Sequence, residues 1–158
     1  MLVLRYGSDR VTGDVDVIGA ASPSQLLAEA VRLFGRDTPN AGKHDLYLEE
    51  VSAALPPAPA GFRKRATESA GGWTVLRLYH LDPHDLICTK LRRYATKDRE
   101  DIRFLCDTLD LDPELLQTRL RLAWYSEKDE NDGDPEQTRT FLNLRRVQAY
   151  LRGDAAGI

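Results

Sequence analysis

Apolar residues change their spacing along this chain, and the changes mark its elements. Leu26, Leu27, Ala30, Val31 and Phe34 recur at helical intervals. Ser22-Pro23-Ser24-Gln25 precedes them as N-cap, first-turn proline and capping-box glutamine, and Gly35 supplies a C-terminal stop. Before that helix, Met1 to Ile18 reads as two short strands, or a helix tail and a strand, around the turn Tyr6-Gly7-Ser8-Asp9. Asp45 to Val51 fits a short strand or a helical turn, and the pattern leaves both open. Pro56, Pro57, Pro59 and Gly61 dictate a loop, because proline removes a backbone donor and glycine loosens the chain. Trp73 to Leu81 alternates apolar and aromatic residues as a strand does.

From there the helical period takes over. Asp82-Pro83 starts a helix through Leu86, Ile87, Lys90, Leu91 and Tyr94. Another runs from about Asp98 to Leu109, with Ile102, Leu105, Cys106 and Leu109 on one face. Asp112-Pro113 starts a third, which ends before the acidic loop Glu127 to Asp134. Pro135 begins the last, with Phe141, Leu144, Val147 and Leu151 inward. The fold class expected is α/β in the α+β sense: a small sheet early (residues 1–81), then a helical half (82–158), in one domain over 1–158.

One strand carries chemistry. In Thr12-Gly13-Asp14-Val15-Asp16-Val17-Ile18, Asp14 and Asp16 share a face while Val15 and Val17 point the other way. Two ionised carboxylates side by side repel, and a hard divalent cation relieves that cost by taking their oxygens as ligands. The alternative is a loop over Thr12-Gly13-Asp14 leading into a shorter strand, in which the acids serve a turn.

Composition narrows the remaining choices. The chain has 158 residues, 42% hydrophobic and 30% charged, an ordinary mix for a single domain with a real core. A net charge of −3 gives no general pull toward nucleic acid or anionic membrane. Its apolar runs are too short to span a bilayer, and no secretory leader pattern is visible. Cys88 and Cys106 both fall in helical apolar patterns, so they are expected buried and reduced, in a cytoplasmic protein. His44, His80 and His84 show no metal-ligand spacing and receive no role.

Two segments together resemble a known family. They are Gly7-Ser8-Asp9-Arg10-Val11-Thr12-Gly13-Asp14-Val15-Asp16-Val17 and Leu81-Asp82-Pro83-His84-Asp85-Leu86-Ile87-Cys88-Thr89-Lys90-Leu91, the latter continuing to Lys97-Asp98-Arg99-Glu100-Asp101-Ile102. This pattern resembles the minimal nucleotidyltransferases related to the AbiEii-type toxins of abortive-infection and type IV toxin–antitoxin systems. The resemblance implies a polymerase-β-type fold and transfer of a nucleoside monophosphate from a nucleoside triphosphate to an RNA or protein hydroxyl. It implies Mg2+ (or Mn2+) on Asp14 and Asp16, and a charge from Lys90 on the triphosphate. Asp98 and Asp101 would orient Lys90 or another basic residue, or take part in catalysis. Ser8, Arg10 and Thr12 would lie near the nucleotide, although Arg10 equally suits pairing with Asp14 or Asp16.

The residues also admit plainer roles. Lys90 fits a solvated helix lysine, Lys97 to Asp101 a charged face whose acids favour the helix macrodipole, and Arg63-Lys64-Arg65 a loop triplet able to touch a polynucleotide. Family members carry a helix and a Gly-Gly or Gly-Ser turn before the Asp-x-Asp. Met1 to Gly7 resembles only the tail of that helix, so the phosphate turn is expected to be missing. For the third carboxylate of the family, Glu49 or Glu50 is the substitute available. The expected partners are a nucleoside triphosphate, an RNA acceptor or an antitoxin protein, and a second copy of the chain. The alternative function is a catalytically inactive protein of the same fold acting in protein association.

Overall fold

The computed structural model describes residues 13–18, 25–51, 58–69, 79–123, 133–154 and 158, with the backbone alone at 14, 16–18, 26, 27 and 51. Helices and two two-stranded sheets make up these residues, an α+β composition. None of the described helices is long and apolar enough to cross a membrane. The chain divides into two compact units, one over residues 9–55 and one over 1–8 and 56–158.

In the smaller unit, β1 (Asp14–Ile18) pairs in parallel with β2 (Tyr47–Val51), so the segment the sequence left open is a strand. A parallel pair needs a crossover, and α1 (Gln25–Phe34) and α2 (Pro39–His44) supply it. The expected helix over Leu26 to Phe34 is present, whereas its cap at Ser22 lies outside the described residues. Gly35 leaves α1 and bridges Leu48 in parallel, laying the end of the helix along β2. No hydrophobic period marks α2, although its start has a local signal: Thr38 is the N-cap, its Oγ1 accepting from the Ala41 N–H at 3.2 Å, and Pro39 follows.

Among the described residues of the larger unit, α3 (Phe62–Arg65) comes first, a single turn after Pro59 and Gly61, then β3 (Thr67–Glu68) paired antiparallel with β4 (Tyr79–His80). Of the strand expected over Trp73 to Leu81, residues 73–78 lie outside the described part. Four longer helices follow: α4 (Pro83–Leu91), α5 (Thr96–Thr108), α6 (Pro113–Arg121) and α7 (Pro135–Leu151). Three of them begin at Asp-Pro, for one reason. The Asp82, Asp112 and Asp134 carboxylates accept from the His84, Glu114 and Glu136 N–H groups at 3.0, 2.8 and 2.9 Å. Each proline then occupies a position where the missing N–H costs nothing. The exception, α5, starts at Thr96 rather than Asp98, and Asp98 in its first turn accepts the Ala95 N–H at 3.0 Å.

The core lies among these helices. Ile87, Leu91, Ile102, Leu105, Leu116, Leu120, Leu144 and Val147 are fully buried, each worth about 1.5–3 kcal/mol of transfer from water. Those on α4, α5 and α7 fall on the faces that the helical period assigned, and Leu116 and Leu120 of α6 join them without having been singled out in the sequence. Polar ties fix the helix ends: Asn143 Nδ2 donates to the Leu91 carbonyl at 2.9 Å and Gln148 Nε2 to the Pro113 carbonyl at 2.7 Å. His84 joins two helix starts, its Nε2 accepting the Asp112 N–H at 3.1 Å, so the proton sits on Nδ1 and is directed to Asp82 at 3.2 Å.

Candidate functional site

The corner between α4 and α5 gathers three of the residues singled out in the sequence. Tyr94 turns the chain there in the left-handed region at φ 49°, a conformation unusual for a large side chain, while its N–H closes α4 on the Lys90 carbonyl at 2.9 Å. The reversal sets the last turn of α4 against the first turns of α5. Lys90 Nζ donates to Asp101 Oδ2 at 2.6 Å and stands 3.7 Å from Asp98 Oδ1. Only 18% of the Lys90 side chain is exposed, which excludes the solvated helix lysine. Both carboxylates are buried.

Asp98 is held more tightly than Asp101 is by Lys90. Arg93 grips it bidentately, Nε to Oδ2 at 2.7 Å and Nη2 to Oδ1 at 2.8 Å, and the Ala95 N–H adds a third bond. Burial pushes the Asp98 carboxyl up, but the Arg93 and Ala95 bonds and the nearby Arg93 and Lys90 charges outweigh it, so the group titrates below the usual carboxylate range. Arg93 carried no expectation from sequence. Its five-residue offset from Asp98 crosses a turn, and no helical period links the two.

In the smaller unit, β1 keeps Asp14 and Asp16 on one face, as alternate strand positions require; of the loop reading over Thr12-Gly13-Asp14, Asp14 belongs to the strand instead, Gly13 precedes it and Thr12 lies outside the described residues. The parallel register sets Tyr47 beside Asp14 and Glu49 beside Asp16, while Glu50 lies beside Val17 on the opposite face. Of the two acids left open by sequence, Glu49 therefore shares the face of the pair. Glu49 accepts from Arg36 Nη2 at 3.1 Å, and the Arg36 guanidinium lies 4.6 Å from the centre of the Tyr47 ring.

Residues 1–138 match a family described as "Nucleotidyltransferase of unknown function (DUF6036)". The chain belongs to this nucleotidyltransferase family. No curated protein and no solved structure matches it. The match covers both the Asp-x-Asp strand and the lysine–carboxylate corner of this nucleotidyltransferase-family chain.

Ser8, Arg10 and Thr12, expected near the nucleotide, lie outside the described residues. The basic triplet divides: Arg63 and Lys64 are exposed, whereas Arg65 is committed to the interior. Its Nε and Nη2 clasp the fully buried Asp85 at 2.7 and 3.1 Å, and Arg119 Nε adds a contact at 3.6 Å. No signal in the sequence singles out Asp85, because first-turn acids of helices are ordinarily solvated. Neither cysteine is in a disulfide. Burial, reinforced by Asp85, raises the Cys88 thiol far above its usual range, and burial with Asp107 pushes Cys106 up to about 12.

Proposed function

We propose that this chain is a metal-dependent nucleotidyltransferase of the polymerase-β type, related to AbiEii-type toxins. It moves a nucleoside monophosphate from a nucleoside triphosphate to an RNA or protein hydroxyl. The observation that carries this reading is the state of Lys90. Its ammonium has three donors, and among the described residues it makes one hydrogen bond, to Asp101, with Asp98 at a longer distance. A partly exposed cation with donors to spare suits an incoming triphosphate. Asp101 orients that ammonium, and Asp98 is a supporting group rather than a catalytic one, since Arg93 and Ala95 occupy its oxygens.

Asp14, Asp16 and Glu49 fit Mg2+ or Mn2+ by the chemistry of the donor set: neighbouring carboxylates on one strand-pair face, all hard oxygen donors. Such an ion supplies charge neutralisation at the phosphates and activation of the attacking hydroxyl. In that assembly Arg36 restrains Glu49. A role as toxin partner of an antitoxin protein belongs to the same reading.

Isothermal titration with Mg2+ and each of the four nucleoside triphosphates tests it. The wild-type chain is expected to bind at least one, and Asp14→Ala with Asp16→Ala to lose that binding. A wild type that binds none overturns the enzyme reading. The non-catalytic association protein would then stand in its place, favoured by the exposed Leu33, Phe34 and Leu46 of the smaller unit.

A further inference from the structure

We propose that Arg93 is a positioning residue for Lys90: by occupying Asp98 it leaves the lysine ammonium bonded to Asp101, with donors directed to a phosphate anion. The inference rests on the reading of Lys90 as the triphosphate contact.

The argument is one of competition for oxygens. Asp98 is almost wholly buried, and its side chain keeps 2% of its exposure. A carboxylate in that position requires its lone pairs filled. Arg93 fills one site on each oxygen, and the Ala95 N–H fills a second on Oδ2. Lys90 is thereby left 3.7 Å from Oδ1, beyond hydrogen-bond range, while it bonds Asp101 at 2.6 Å.

Removal of Arg93 reverses the preference. Oδ1 of a buried, ionised Asp98 then has Lys90 as the nearest cation. A shift of about 0.7 Å brings Nζ to bonding distance. Lys90 becomes clamped between two carboxylates, and a triphosphate has to displace both. Arg93 itself remains outside this exchange: 74% of its side chain is exposed, so its planar fork is presented from solvent onto a buried acid. Lysine in its place offers one point charge without the fork, and restores the effect in part.

The test combines two readouts on the full chain. The first is the side-chain ammonium resonance of Lys90 in 15N-labelled protein without nucleotide, assigned through Lys90→Arg. The second is the affinity for the nucleoside triphosphate that the wild type binds, with Mg2+. Arg93→Gln is expected to move the resonance and to weaken nucleotide binding by about tenfold, with Arg93→Lys between wild type and Gln. In an Asp98→Asn background, Arg93→Gln is expected to do neither, because the competing charge is gone. An unmoved Lys90 resonance in Arg93→Gln overturns the proposal even where nucleotide binds. Equal weakening with and without the Asp98 charge also overturns it, and shows direct contact of Arg93 with the nucleotide. If no nucleotide binds the wild type, the function fails while the resonance still judges Arg93. Should the Gln variant not fold, the Arg93→Lys resonance decides, and no displacement there overturns the proposal.

Discussion

Arg65→Met isolates the most buried charge among the described residues. Asp85 has no exposed surface, and Arg65 supplies both of its short hydrogen bonds, at 2.7 and 3.1 Å. Removing one partner of a buried pair costs about 3–5 kcal/mol, because the surviving charge has neither water nor partner. Arg119 lowers that figure. Its Nε stands 3.6 Å from Asp85 Oδ1 with no hydrogen bond of its own among the described residues, and a small movement gains a charged bond worth about 1.5–3 kcal/mol. The net expectation is a loss of about 2 kcal/mol, or roughly 4–8 °C in Tm for a chain of this size. Urea unfolding followed by helical circular dichroism measures it, since the longer helices lie in the larger unit. Adding Asp85→Leu to Arg65→Met is expected to recover part of the loss: the stranded charge disappears, and Arg119, with 18% of its side chain exposed, turns its head toward water. A loss below about 1 kcal/mol in the single variant, or additive losses in the double, would refute the reasoning.

Two further outcomes are expected from the titrating groups. Asp98 is held below the usual carboxylate range, so its contribution to stability is complete above the pKa of an unfolded aspartate and is lost as pH falls through the lower folded value. The stability deficit of Arg93→Gln should therefore be largest near neutrality and shrink in acid. Urea midpoints at about pH 7 and about pH 3 check this, and a deficit independent of pH contradicts it. Cys88 and Cys106, both raised by burial, are expected to resist iodoacetamide at about pH 8 in the native chain, with Cys106 the first to react. Rapid stoichiometric labelling of Cys88 would show that its surroundings are open.

Local chemistry is written in the sequence itself. The starts of α4, α6 and α7 follow from Asp-Pro because an N-cap and its proline act within a few residues, and the core faces of these helices follow from their own period. Asp14 and Asp16 share a face for the equally local reason that a strand alternates. What the tertiary structure decided depends on which elements meet. That Glu49 rather than Glu50 falls on the Asp14–Asp16 face needed the parallel register of β1 on β2, since one residue of slip exchanges the faces. Lys90 became a paired cation when the turn at Tyr94 folded α5 back onto α4. Arg65 and Asp85, twenty residues apart, became partners when α3 came against α4. Charges of opposite sign attract without a sequence period, so the sequence supplied the acids and bases, and the packing alone assigned them to one another.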